Sequence, residues 1–210
     1  TRPRPVYNGY FGSQVAIAGD SVFVSAPGSR NGSVDQYSLL GEHIRSFWGM
    51  DAGDRYGAGL SVLDDILVIG APAKHTSKGQ AYISSKSGSF GDIILNASDR
   101  STAGSQAFGS STAVSDDVIV VAAPGANLGG FNRGAVYMFD FNGSQLGKIV
   151  APASESEDGA LFGSSVAISG PRIFVAAVGQ ESRTGAVHVF DLSGSYIFSM
   201  RGEAAGDGFG

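Results

Sequence analysis

Residues 108–139 read FGSSTAVSDDVIVVAAPGANLGGFNRGAVYMF. An aromatic-Gly pair, Phe108-Gly109, opens the stretch, and small and apolar residues follow through Ser115. Asp116-Asp117 interrupts them with two residues of turn chemistry. Val118-Ile119-Val120-Val121 is apolar at consecutive positions and ends in Ala122-Ala123-Pro124. A loop leads to Gly134 and another strand-like segment ending at Phe139. Each segment is too short for a helix and is bounded by Gly, Pro, Asp or Asn. A two-residue turn between β-branched runs predicts an antiparallel hairpin. An uninterrupted apolar run predicts a strand buried on both faces, unlike the alternation of a sheet with one wet side.

The same order of events recurs along the chain. Aromatic-Gly pairs stand at Phe11-Gly12, Tyr56-Gly57, Phe108-Gly109, Phe162-Gly163 and Phe209-Gly210, at intervals of 45, 52, 54 and 47 residues. Two-residue turns fall at Gly19-Asp20, Asp64-Asp65, Asp116-Asp117 and Gly170-Pro171. Ser25-Ala26-Pro27 and Gly70-Ala71-Pro72 match Ala122-Ala123-Pro124, while the fourth unit has Ala176-Ala177-Val178. A glycine opens the third segment at Gly32, Gly79, Gly134 and Gly185, and a Gly-containing turn leads to a fourth, such as Ile44–Trp48 or Tyr196–Met200. Four strands per unit at this period predict an all-β chain, a β-propeller of four-stranded antiparallel blades. A β-sandwich would need the shared order to be coincidence, and a parallel β-helix has much shorter rungs. The units run 11–55, 56–107, 108–161 and 162–208. Residues 1–10 read as the end of a preceding connection and 209–210 as the start of a further repeat, all in one propeller domain.

Composition agrees with this pattern. The chain has 210 residues, 32 of them Gly, about twice the usual share, with 42% apolar and 16% charged residues. There is no Gly-X-Y period, so collagen is excluded, and the apolar content excludes disorder. Net charge is −5 and the basic residues are scattered, which argues against nucleic acid as a partner. Zero Cys removes disulfides, thiolate metal sites and thiol nucleophiles. No apolar run is long enough for a membrane helix, so no membrane insertion by this segment is expected.

The register of Phe-Gly or Tyr-Gly with a small residue-Ala-Pro triplet some 14–15 residues later, at positions 25–27, 70–72 and 122–124, resembles the FG-GAP repeat family, the propeller repeat of integrin α-chains. The resemblance spans residues 11–210. It implies a ring, usually of seven blades, of which four are present here, in an extracellular or cell-surface binding protein. Many members carry an Asp-x-Asp-x-Asp-Gly-like calcium loop between the first two strands. Only two residues stand there in each unit of this chain, too few for the six or more oxygens that calcium takes, so no cofactor or metal is expected.

Catalytic signatures are missing: no Gly-x-Ser-x-Gly, no phosphate-binding Gly-x-x-x-x-Gly-Lys, no His-Glu-x-x-His. His43, His75 and His188 are far apart, and His188 stands where other units have Tyr82 and Tyr137, as a blade-packing residue. Asp64-Asp65 and Asp116-Asp117 read as turn residues rather than an acid–base pair. Glu155, Glu157 and Asp158 form an acidic cluster without the spacing of a known metal loop, and read as solvated charge. No catalytic residue and no enzyme activity is assigned.

A pattern of charge remains. A base precedes or nearly precedes the strand-three glycine in every unit, at Arg30, Lys78, Arg133 and Arg183. The connection into the next aromatic-Gly carries acids, among them Asp51, Asp54, Asp99, Glu155, Glu157, Asp158, Glu203 and Asp207. In an up-and-down blade these two loop types emerge on one face, so bases and acids should alternate around its rim. Inter-blade ion pairing explains the alternation without function. A recognition face makes Arg30, Lys78, Arg133, Arg183, Asp54, Asp99, Glu157 and Asp207 binding candidates. Acceptor sequons at Asn31, Asn96 and Asn142 fit a secreted glycoprotein.

Three functions fit: an adhesion or binding module recognising a protein or glycan, a structural module touching neighbouring subunits of a fibre, coat or complex, and the accessory propeller of an enzyme. The family resemblance and the failed search for catalytic signatures favour the first, at the cell surface or outside the cell.

Overall fold

The computed structural model describes residues 9–99 and 105–210. Residues 1–8 of the expected incoming connection lie outside them.

Among the described residues sixteen strands form four antiparallel sheets, each with its strands adjacent in chain order. The first sheet is β1 (Val15–Ala18), β2 (Ser21–Ser25), β3 (Ser33–Ser38) and β4 (His43–Trp48). The second is β5 (Leu60–Leu63), β6 (Ile66–Ala71), β7 (Gln80–Ser85) and β8 (Ile93–Leu95). The third is β9 (Thr112–Val114), β10 (Ile119–Ala123), β11 (Ala135–Phe139) and β12 (Gln145–Ile149). The fourth is β13 (Phe162–Ser169), β14 (Arg172–Ala177), β15 (Ala186–Asp191) and β16 (Tyr196–Arg201). These are the four-stranded blades of a β-propeller. β1 packs on β5, β5 on β9 and β9 on β13, so the first strand of each blade is innermost.

Three apolar layers lie between the blades. Phe23 and Val34 of the first blade meet Leu67, Ile69 and Tyr82 of the second. Val68, Ile83 and Leu95 meet Ile119, Val121 and Phe139 of the third. Val120, Val136 and Ile149 meet Ile173, Val175 and Phe190 of the fourth. Consecutive residues of β6 and β10 therefore enter opposite layers, which is why those strands are apolar throughout. Each such side chain contributes about 1.5–3 kcal/mol when fully buried.

The backbone joins successive blades at the recurring glycines. Gly32 pairs in parallel with Tyr56, Gly79 with Phe108 and Gly134 with Phe162. A Cβ on Gly79 would stand 2.0 Å from the Phe108 carbonyl oxygen, and one on Gly134 would stand 2.0 Å from that of Phe162. No side chain fits, and φ is also positive at both sites, +84° and +85°. The glycine of each aromatic-Gly pair lies near φ +93° and turns the chain into the inner strand.

The aromatic of each pair faces the preceding blade. Tyr56, Phe108 and Phe162 are 3%, 1% and 0% exposed, whereas Phe11 is 51% exposed. Val15 and Ile17 share that uncovered face of the first blade with Phe11. On the far side of the fourth blade, Phe174, Val187, Phe198 and Met200 share the opposite uncovered face. Phe209-Gly210 is seated at its edge: the Phe209 amide donates to the Thr184 carbonyl at 3.0 Å, as Phe108 donates to Lys78 at 3.2 Å and Phe162 to Arg133 at 3.1 Å.

Three short helical turns interrupt the all-β pattern: α1 (Lys74–Ser77), α2 (Gln180–Arg183) and a 3-10 turn at Ala153–Glu155. In α1 and α2, three consecutive residues have positive φ, His75-Thr76-Ser77 and Glu181-Ser182-Arg183. The lack of apolar periodicity hid these tight loops from a reading based on periodicity.

Candidate recognition face

The loops from strand two to three and the connections from strand four to one share one face. The acids predicted for that face are present, and Asp51, Asp54, Asp99, Glu155 and Glu157 reach into the blade that their own connection enters. Lys74 Nζ donates to Asp51 at 2.8 Å and to Asp54 at 2.9 Å. Lys74 and Asp54 are nearly enclosed, with side chains 7% and 11% exposed. Burial alone would lower the Lys74 ammonium; the hydrogen bonds it donates to Asp51 and Asp54 outweigh that and hold its pKa above the usual range. The hydrogen bond from Lys74 lowers Asp51 in turn.

The third blade repeats the arrangement with other partners. Asp99 accepts from the Tyr137 hydroxyl at 2.8 Å and from Lys148 Nζ at 2.7 Å. Burial raises the Asp99 carboxyl, but the bonds from Lys148 and Tyr137 bring it below its ordinary value. The Tyr137 hydroxyl is pushed up by burial and by Asp99.

In the fourth blade, Glu155 lies 3.5 Å from Nδ1 of His188 and 3.2 Å from Arg201. The other ring nitrogen of His188, Nε2, meets Gln180 Oε1 at 2.8 Å. His188 is fully buried against Phe162, the packing role read from its alignment with Tyr82 and Tyr137. Burial lowers the His188 pKa, and Glu155 opposes that only in part. Burial would raise Glu155, but His188, Ser199 and Arg201 outweigh it and hold the carboxyl low.

The three acids of the 155–158 cluster diverge. Glu155 turns to His188, Glu157 accepts from the Glu181 amide, and Asp158 pairs with Arg133 at 2.9 Å. Among the described residues no group of three or more acidic, His or Cys side chains is placed to hold a metal ion.

The four predicted bases behave differently from one another. Arg133 is ion-paired; Arg30, Lys78 and Arg183 have no ion pair among the described residues. Their carbonyls serve the inter-blade join instead: Gly53 donates to Arg30, Phe108 to Lys78 and Gly208 to Arg183. Asp207 caps its own turn through the amides of Glu203 and Ala204. The cations at Lys74, Lys148 and Arg201 were not anticipated, because their positions are not equivalent in the repeat.

Of the sequon residues, Asn31 donates its amide to the carbonyls of Gly49 and Met50 at 3.1 and 3.2 Å. Asn96 is exposed and accepts from Gln80, and Asn142 is exposed at the turn between β11 and β12.

A second set of residues on this face was also missed. The residue before each aromatic-Gly pair, Tyr10, Arg55, Ala107 or Leu161, is left-handed, with φ between 50° and 60°. Its carbonyl accepts from the residue three later in every blade, for example Ser13 to Tyr10 and Ala58 to Arg55. Non-glycine residues adopt this conformation at a cost of about 1–2 kcal/mol. The repeat thus fixes the backbone and varies the side chain. Tyr10 and Arg55 line a groove of about 570 Å³ with Arg30. It continues through Ser13, Pro27 and Arg55 into a cleft of about 310 Å³ reaching Pro72, Ser77 and Ser105. At the fourth blade, Glu155, Glu157 and Glu181 line a small acidic cleft.

No described helix is long and apolar enough to cross a membrane. No curated protein matches the chain. A family model, the FG-GAP repeat, matches residues 94–139 and 144–190. Each match runs from the outer strand of one blade into the third strand of the next, across the join where the acidic connection meets its cation. Residues 94–139 and 144–190 are thus FG-GAP repeats, and the aromatic-Gly register they contain is shared by all four blades.

Proposed function

We propose that this chain is a non-catalytic recognition module that works outside the cell or at its surface, binding a protein or glycan through the face of two-to-three loops and four-to-one connections. One observation carries this reading. At four equivalent positions, Tyr10, Arg55, Ala107 and Leu161, the backbone is held in one strained conformation while the side chain changes. Strain of this kind gathers at ligand-contacting sites, and a fixed scaffold with varied loops is how rigid folds carry binding. Arg30 and Arg183 supply further exposed cations on this face and Lys78 a half-buried one, while Asp54, Asp99 and most of the other acids serve to hold the connections down. Asn96 and Asn142 are the sequons whose exposure suits a glycan.

Cell attachment to surfaces coated with the chain tests the proposal. A chain with Arg30, Arg55 and Arg183 replaced by Gln should melt within about 1 kcal/mol of the parent, as exposed charges do, and lose attachment. Attachment that survives, or is absent from the parent, refutes adhesion through this face.

The uncovered blade faces favour a second reading, assembly. Phe11, Val15 and Ile17 at one end and Phe174, Phe198 and Met200 at the other are apolar surface of the kind that marks interaction sites. In this reading the four blades are an arc of a larger ring, seven blades in the family's usual form. Phe209-Gly210 marks the seat of the next blade. Small-angle scattering of the purified chain separates the readings: a compact 21.4 kDa monomer refutes the arc.

A further inference from the structure

Among the rim cations, Lys74, Arg133, Lys148 and Arg201 each contact a carboxylate within 3.2 Å. Arg30 and Arg55 are exposed, line the same groove, and have no ion pair among the described residues. The acids beside Arg55 in sequence, Asp51 and Asp54, are committed to Lys74. We infer that the groove between Arg30 and Arg55 binds a carboxylate-bearing peptide segment. This rests on reading the loop face as a recognition surface and names what its basic end recognises.

The groove is built rather than incidental. The Arg30 carbonyl accepts from Gly53 at 2.9 Å, which ties the loop of the first blade to the connection entering the second. Arg55 leaves a left-handed turn closed by Ala58, and Tyr10 leaves the equivalent turn closed by Ser13. Both guanidiniums therefore stand on pinned backbone. Ser29, 3% exposed in the groove wall, has a hydroxyl without a hydrogen-bond partner among the described residues. Two guanidiniums, a spare hydroxyl and the exposed Tyr10 ring are the groups that grip a planar carboxylate and stack on the amide beside it.

The surroundings select an extended peptide. The groove runs on past Pro27 and Pro72, apolar walls for flanking side chains, toward the hydroxyls of Ser77 and Ser105. A net charge of −5 repels a long polyanion at distances comparable to the ~8 Å screening length. One or two carboxylates flanked by neutral residues avoid that repulsion and still reach both arginines.

Fluorescence anisotropy of the full chain tests this with the labelled peptide Ser-Gly-Asp-Glu-Gly-Ser and its amide counterpart Ser-Gly-Asn-Gln-Gly-Ser. The expected result is saturable binding of the acidic peptide, at least tenfold tighter than that of the amide peptide. The combined variant Arg30→Gln, Arg55→Gln should weaken it at least tenfold, and each single change should give an intermediate affinity. Arg172→Gln, at the start of β14 beside the hairpin turn on the opposite face, should change nothing. Equal binding of the two peptides, or full binding by the combined variant at an unchanged melting temperature, overturns the inference. So does binding of trigalacturonate in place of the peptide, which would assign the groove to an acidic glycan. Cell attachment that persists in the combined variant but is lost when Arg183 is also replaced overturns the inference and leaves the recognition face standing.

Discussion

The rims of the second and fourth blades hold the same device with different parts. In both, an acid from the incoming connection is drawn down onto the blade. In the second blade its partner is Lys74, a loop residue nearly closed off from water. In the fourth, the equivalent loop residue is Gln180, the strand-three residue is His188, and the cation is Arg201 from the outer strand, 42% exposed. The constant element is the acid at the join, and its partner is drawn from whichever strand offers one. The difference predicts that the two rims fail by different routes.

The largest effect should come from Lys74→Met. It leaves Asp54 buried without its cation, and breaking a buried pair on one side costs about 3–5 kcal/mol. Arg201→Met, where the cation itself is 42% exposed, should cost less, about 1 kcal/mol. Urea denaturation of the two variants measures both; equal losses would erase the distinction between the rims.

Gln180→Ala comes next. It leaves the fully buried His188 without its Nε2 partner, a loss of about 1–3 kcal/mol. Tyr137→Phe, which removes the hydroxyl bonded to Asp99, should cost about 1 kcal/mol at the third rim.

Acid separates the two rims by sign. His188 is held below its ordinary value of 6.5, so the unfolded chain binds that proton first. Its contribution is complete above pH 6.5 and is lost as pH falls from there toward the folded-state value. Glu155, depressed from 4.5, is lost only at lower pH, as its folded value is crossed. Lys74 is raised above 10.5, so its contribution is complete below that value and is lost as pH rises through the folded one. Stability should therefore soften through the fourth rim as pH falls below 6.5. His188→Tyr, which restores the residue of the second and third blades, should flatten that slope; an unchanged slope would place its origin elsewhere.

The smallest effect belongs to Arg133→Ala. Its pair with Asp158 is exposed on both sides, and the melting temperature should move by no more than about 1 kcal/mol of stability implies.

The blades were legible because every level of the sequence agrees. Apolar strand two, turn residues, and glycines where a Cβ would meet the next blade all repeat in one order, so Gly79 and Gly134 could be placed before any contact was seen. The charge alternation was legible only in part. The acids of the connections lie on the expected face, but among the described residues Arg30, Lys78 and Arg183 do not pair with them. Lys74 and Gln180 hold equivalent positions in their loops, yet one is charged and one is not. Lys148 and Arg201 lie on outer strands that no alternation of loops includes. Tyr10 and Arg55 differ in every property except a φ angle that sequence does not display.

The sequence by itself determined the strands, their four-fold repetition and the FG-GAP repeat pattern. These depend on local propensity and on glycine, both written residue by residue. Only the tertiary structure decided which cation meets each acid, and that Arg30 and Arg55, from consecutive blades, share one groove. Those outcomes depend on how each connection crosses onto the next blade and on left-handed turns stabilised by long-range packing. No short window of sequence contains both sides of such a contact.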